Sequence, residues 1–104
     1  MSKYGNIKTV TSDGIKHDSV KEANRWCELN ILQRAGVIQD LKRQVKFELL
    51  PKQGGERAVY YIADFVYTEN GKKVVEDAKG CRTEVYKLKK KMMLYFHGIK
   101  IKET

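Results

Sequence analysis

Two spacings of apolar residues divide this chain. From Ser19 to Ala35 the apolar side chains Val20, Ala23, Cys27, Ile31 and Ala35 recur at helical intervals and predict one buried stripe, with Trp26 on its flank. Ser19-Val20-Lys21-Glu22 reads as a capping box with Ser19 as N-cap, and Gly36 is a natural residue to follow the helix. From Val37 the spacing drops to two. Val45, Phe47 and Leu49 alternate with Lys46, Glu48 and Leu50, a strand that Pro51 ends. Two further β-rich runs, 58–68 and 72–79, flank Glu69-Asn70-Gly71-Lys72. A second helix is expected over about Thr83 to His97, with Val85, Leu88, Met92, Tyr95 and Phe96 on its apolar side, and Ile99 to Lys102 alternates as a last short strand. The order is α-β-β-β-α-β, which predicts an α/β domain with a small mixed sheet flanked by helices. Residues 1–17 read as a basic N-terminal arm, with an extended piece at Ile7–Val10 and a turn at Asp13-Gly14, and residues 18–104 as a single domain.

Asn-Gly between two β-rich runs is the strongest short-range hairpin signal. With Asn70 and Gly71 at the centre of a type I′ turn, Glu69 pairs with Lys72 and Asp64 falls opposite Asp77. Directly opposed side chains share a face, with Cβ atoms about 4.5–5.5 Å apart. Lys79, two residues beyond Asp77, joins that face. Two facing carboxylates repel each other, and a divalent cation between them removes the penalty. The pattern therefore reads as a metal site with a lysine beside it.

Charge sharpens this reading. The 104 residues carry 21 Lys and Arg against 13 Asp and Glu, a net charge of +8, which favours a polyanionic partner such as nucleic acid over an anionic membrane surface. Lys87, Lys90 and Lys91 on the second helix are candidate phosphate contacts, and Lys89 borders its apolar stripe. Cys27 and Cys81 form no CxxC or Cys/His cluster, so structural zinc is not expected. Cys27 is expected to be buried, and His17 and His97 to lie on the surface. Tyr60, Tyr61, Phe65, Tyr67, Tyr86, Tyr95 and Phe96 read as core, while Trp26 is open to a place in a dimer interface. No signal-peptide pattern or membrane-length apolar run is present, and a cytoplasmic location is expected.

The element order, with Asp64 on one strand and Asp77-Ala78-Lys79 on the next, resembles the restriction-endonuclease-like core and its PD-(D/E)xK site. The whole chain is similar to small phage and prophage PD-(D/E)xK nucleases related to Holliday-junction resolvases. The stretches that carry this are Lys3-Tyr4-Gly5-Asn6, Asp18-Ser19-Val20-Lys21-Glu22-Ala23, Gln44-Val45-Lys46-Phe47-Glu48-Leu49, Tyr61-Ile62-Ala63-Asp64-Phe65 and Glu76-Asp77-Ala78-Lys79-Gly80-Cys81-Arg82-Thr83. Two positions depart from the motif's usual form: Ala63 stands where its proline would be, and the acid of the triplet is Asp77.

The resemblance implies a Mg²⁺-dependent DNA endonuclease, with Mn²⁺ able to substitute, encoded by a phage or prophage and working in the bacterial host cell on branched or recombination intermediates. Asp64 and Asp77 would hold the metal, and the Ala78 carbonyl would add a ligand. Glu22 would supply a third acid, and Lys79 would hold the attacking water and the scissile phosphate. Gln44 and Thr83 would lie at the rim, in contact with nucleic acid. Symmetric cutting of a junction needs two sites, so a homodimer is expected. Two other readings remain open: a nicking or end-processing nuclease, and a basic DNA-binding accessory protein without catalysis.

Overall fold

A computed structural model describes residues 9–78 and 83–104, and Lys79 and Cys81 lie outside that range. Strands β1 (Thr9–Val10) and β2 (Lys16–His17) form a small antiparallel sheet around the Asp13-Gly14 turn. Helix α1 (Val20–Arg34) follows, capped as expected by Ser19, whose Oγ accepts the Glu22 amide at 3.1 Å. Strands β3 (Gln39–Leu50), β4 (Val59–Glu69) and β5 (Lys72–Asp77) run antiparallel in sequence. Helix α2 (Glu84–His97), with Thr83 as N-cap, returns the chain so that β6 (Lys102–Glu103) pairs parallel to Glu76 and Asp77. The sheet order is β3-β4-β5-β6. This is the expected mixed α/β arrangement, with the two-stranded sheet added at its N-terminal end.

The hairpin register is the one the turn dictates. Asn70 and Gly71 have φ of 53° and 73°, both positive as a type I′ turn requires. Glu69 pairs with Lys72, and the ladder continues to Phe65 opposite Glu76, so the next position sets Asp64 against Asp77.

Two apolar clusters cover the sheet. One joins Phe47, Leu49, Tyr61, Ala63, Val66 and Val75 to Met93 of α2, and the other joins Phe65 and Tyr67 to Trp26 and Leu29 of α1, with Leu41 against it. Strict alternation would keep odd-numbered residues of one strand on one face. Here Leu41 of β3 and Phe65 of β4 pack toward α1, whereas Phe47 and Tyr61 of the same strands pack toward α2. The ribbon therefore turns over between those positions. Gln44, with a left-handed φ of 54°, marks the point, and the bracketing pairs Arg43–Phe65 and Val45–Ala63 put it opposite Asp64.

Both helices differ from their expected faces. In α1 the buried residues are Glu22, Ala23, Trp26 and Leu29, while Val20, Cys27 and Ile31 are exposed. The stripe is rotated because Trp26 and Leu29 fill the space over Phe65 and Tyr67, the larger apolar contact. Trp26 thus belongs to the core of its own chain and is not free for a partner. His17, expected at the surface, is 1% exposed beneath α1. In α2 only Met93 is fully buried, with Tyr86 and Met92 packed partly beside it; Val85, Leu88, Tyr95 and Phe96 face outward. Tyr95 and Phe96 are therefore not core residues, and Tyr60 is 37% exposed at the sheet surface.

Candidate functional site

Asp64 and Asp77 are 1% and 0% exposed, an expensive environment for carboxylates unless they are bonded. Each has a donor from the fold. The amide of Ala78, just past the end of β5, donates to Asp64 Oδ2 at 2.9 Å, tying the two strands together at their acids. The Tyr61 hydroxyl donates to Asp77 Oδ2 at 2.8 Å. Burial and the negative charge of Asp77 push the Tyr61 hydroxyl far above its ordinary pKa, with a smaller push from Asp64. The shift favours the protonated hydroxyl that donates to Asp77.

The turn-over of the ribbon explains how Tyr61 gets there. It lies three residues before Asp64, a spacing that alternation assigns to the opposite face. The change of face beside Gln44 brings its ring to the α2 side, where Asp77 lies.

Glu22 is buried at 3% exposure, with Oε2 at 3.5 Å from His17 Nδ1 and 3.7 Å from Arg43 Nη2. Burial and the adjacent Arg43 charge lower the His17 pKa, favouring its neutral form. Among the described residues no group of three or more His, Cys, Asp or Glu is arranged to hold a metal. The described structure thus brings Asp64 and Asp77 together but does not add Glu22 to them as a third ligand. Lys79, expected on the same face, lies outside the described residues.

The rim residues fall in three places. Gln44 is exposed opposite Asp64. Thr83 caps α2, its Oγ1 accepting the Tyr86 amide at 3.1 Å. On α2, Lys87 pairs with Glu84 at 3.4 Å and Lys90 with Glu103 at 3.1 Å, and Lys91 is exposed. Lys87, Lys90, Lys91 and Lys100 also line a groove of about 630 Å³ with Leu88, Leu94 and Ile101.

A fourth buried acid, Glu76, missed by sequence reasoning, backs the site. Glu76 is fully buried on the face opposite Asp77 and takes two bonds from Arg25, at 2.7 and 2.9 Å. The Tyr67 hydroxyl adds a bond at 2.7 Å and Thr104 Oγ1 one at 3.3 Å. Burial alone would raise the Glu76 pKa, but the Arg25 and Tyr67 bonds outweigh it and hold the group below the usual range. The signal was present in the sequence: the hairpin register puts Glu76 opposite Phe65, and alternation turns it toward the helix that carries Arg25.

The family described as "Protein of unknown function (DUF1064)" matches residues 1–103. The chain belongs to that family. No curated protein matches this DUF1064 chain. Among solved structures it is similar to protein VC1899 from Vibrio cholerae at 19% identity and a TM-score of 0.38, over 93% of this chain. The chain spans 35% of the length of that protein. Among the described residues no helix is long and apolar enough to cross a membrane.

Proposed function

We propose that this DUF1064 protein is a Mg²⁺-dependent DNA endonuclease, of phage or prophage origin, that acts on branched or recombination intermediates. The observation that carries the reading is the burial of Asp64 and Asp77 on facing positions of one hairpin, where the sheet turns over. A fold stabilised for its own sake gains nothing from opposing two buried carboxylates.

The donor set suits a hard cation. Mg²⁺ is commonly held by one or two carboxylates, with water and substrate phosphate completing the octahedron. Asp64 and Asp77 would hold it, with the Ala78 carbonyl as a further ligand, and Mn²⁺ would substitute. When bound, the ion supplies Lewis-acid stabilisation of phosphate charge and lowers the pKa of a coordinated water. The chain's own residues do the rest. Tyr61 and the Ala78 amide orient the two carboxylates, and Lys79 would supply positive charge to the attacking water and the scissile phosphate. Glu22, held against His17 and Arg43, is not counted among the ligands. Gln44, Thr83, Lys87, Lys90 and Lys91 would contact the DNA backbone, consistent with the net charge of +8. A homodimer would provide the second site for a symmetric cut, and the exposed apolar side of α2 is the surface proposed for it.

Purified protein incubated with Mg²⁺ or Mn²⁺ and a panel of four-way junction, flap, nicked, linear duplex and single-stranded DNA tests this. Cleavage is expected on the branched substrates, and Asp64→Ala and Lys79→Ala should abolish it while DNA binding persists. Wild-type protein that binds DNA and cuts nothing with either metal would replace this reading with a DNA-binding accessory role. Cutting of nicked or duplex DNA with junctions ignored would favour a nicking or end-processing enzyme.

A further inference from the structure

The groove of about 630 Å³ beside α2 combines two chemistries that contact with a DNA backbone does not need together. It lies between the helix and the Lys100-Ile101 segment that leads into β6. Leu88 and Leu94 line it at 58% and 55% exposure, and the buried Ile101 joins them. Around this apolar surface stand four lysines against one acid, Glu84. Lys87 is offset by Glu84, and Lys90 by Glu103 of β6. Lys91 and Lys100 are exposed and pair with no acid among the described residues. The groove thus presents leucines to cover and two cations still to be neutralised.

We propose that this groove docks a short peptide segment of a partner protein in which acidic and apolar residues are interleaved. Its apolar side chains would lie against Leu88, Leu94 and Ile101, and its carboxylates on Lys91 and Lys100. Charge complementarity selects this occupant, since lysines set around apolar surface match carboxylates set around apolar side chains. A DNA duplex would meet the lysines but has no apolar side chain to lay on the leucines. A second copy of the chain carries the same net charge of +8, and paired symmetrically through the groove it would set these lysines against their own copies. A bilayer is entered by protruding apolar side chains, whereas these line a concavity. From Lys87 to Leu94 the helix rises about 10 Å, a distance that roughly three extended residues span. Docking of this kind needs neither Asp64 nor Asp77. The nuclease reading gives Lys87, Lys90 and Lys91 to the DNA backbone, so a bound peptide would compete with DNA for this side of α2.

The test is fluorescence anisotropy of a labelled synthetic peptide that alternates aspartate and leucine, at physiological salt and without metal. Wild-type protein should bind it, and should bind more weakly the same peptide with asparagine for aspartate or serine for leucine. Lys91→Glu, Lys100→Glu and Leu94→Ser should each weaken binding of the first peptide roughly fivefold. Lys52→Glu makes the same change of net charge in the exposed β3–β4 loop, outside the groove, and should leave binding unchanged. Circular dichroism of each variant confirms folding. Equal binding of the serine peptide, an equal loss in Lys52→Glu, or full binding by both Lys91→Glu and Lys100→Glu overturns the proposal. Anionic phospholipid vesicles bound through Leu94 while the peptide is ignored would overturn it in favour of a membrane surface. Unlabelled duplex DNA should displace the peptide from wild-type protein. Because neither metal nor cleavage enters the readout, its failure leaves the acidic pair untouched, and a protein that cuts no DNA would still keep the peptide site.

Discussion

The Tyr61 hydroxyl of β4 donates to Asp77 Oδ2 of β5 at 2.8 Å, in the part of the sheet that turns over beside Gln44 of β3. Both groups are buried, so the bond replaces water that neither can reach. Tyr61→Phe keeps the ring and removes the donor, leaving a buried carboxylate with one bond fewer. The expected loss is about 1–3 kcal/mol of folding stability, measured by urea denaturation. An unchanged midpoint would mean that another group already satisfies that oxygen.

The Arg25–Glu76 pair governs acid stability. Arg25→Ala removes the charge partner of buried Glu76, leaving it the Tyr67 and Thr104 bonds, and should cost roughly 3–5 kcal/mol. Because the folded pKa of Glu76 is depressed, its contribution is fully present above the ordinary value of 4.5 and is lost as pH falls through the folded value. Stability of the wild type should therefore fall as pH drops below about 4.5. In Arg25→Ala this part of the pH dependence should flatten or reverse. Parallel pH profiles for the two proteins would show that Arg25 does not set the Glu76 titration.

Gly71 fixes the register that opposes Asp64 and Asp77. Its φ is +73°, and a Cβ added there would meet nothing within 4 Å, so Gly71→Ala isolates backbone strain from steric clash. The expected destabilisation is about 1–2 kcal/mol. Asn70→Gly, which accepts a positive φ freely, should stay close to wild type. Chemical denaturation of the two variants compares them directly. A neutral Gly71→Ala would show that the hairpin can adopt another turn.

The parts of the fold that depend on local chemistry were legible in the sequence. Ser19 capping α1, Asn70-Gly71 setting the hairpin and Pro51 closing β3 act through their nearest neighbours, and the structure places each as expected. What was not legible depends on long-range twist. Nothing local to Gln44 announces a left-handed residue, yet that turn-over decides that Tyr61, and not a residue of matching parity, reaches Asp77. The same limit explains α1: periodicity favoured the stripe through Cys27 and Ile31, but the bulk of Trp26 and Leu29 against Phe65 and Tyr67 set the rotation. His17 was misplaced because the β1–β2 hairpin folds it under α1, a contact no short window contains.

Helix α2 leaves Leu88 58% and Tyr95 83% exposed, with Val85, Leu94 and Phe96 also open to solvent. Single exposed apolar residues are ordinary, but Val85, Leu88, Tyr95 and Phe96 share one side of α2, the surface proposed for the homodimer, while Leu94 lies in the groove with Lys87, Lys90 and Lys91. Since neither Leu88 nor Tyr95 is buried in the fold, Leu88→Glu and Tyr95→Glu should change monomer stability by no more than about 0.5 kcal/mol. Under the proposed homodimer each should shift the protein toward monomer, because a carboxylate would have to be desolvated in an apolar contact. Sedimentation velocity across a concentration series reads the shift. A dimer that persists in both variants would place the interface elsewhere, and a large loss of stability would show that this side of α2 packs within its own chain.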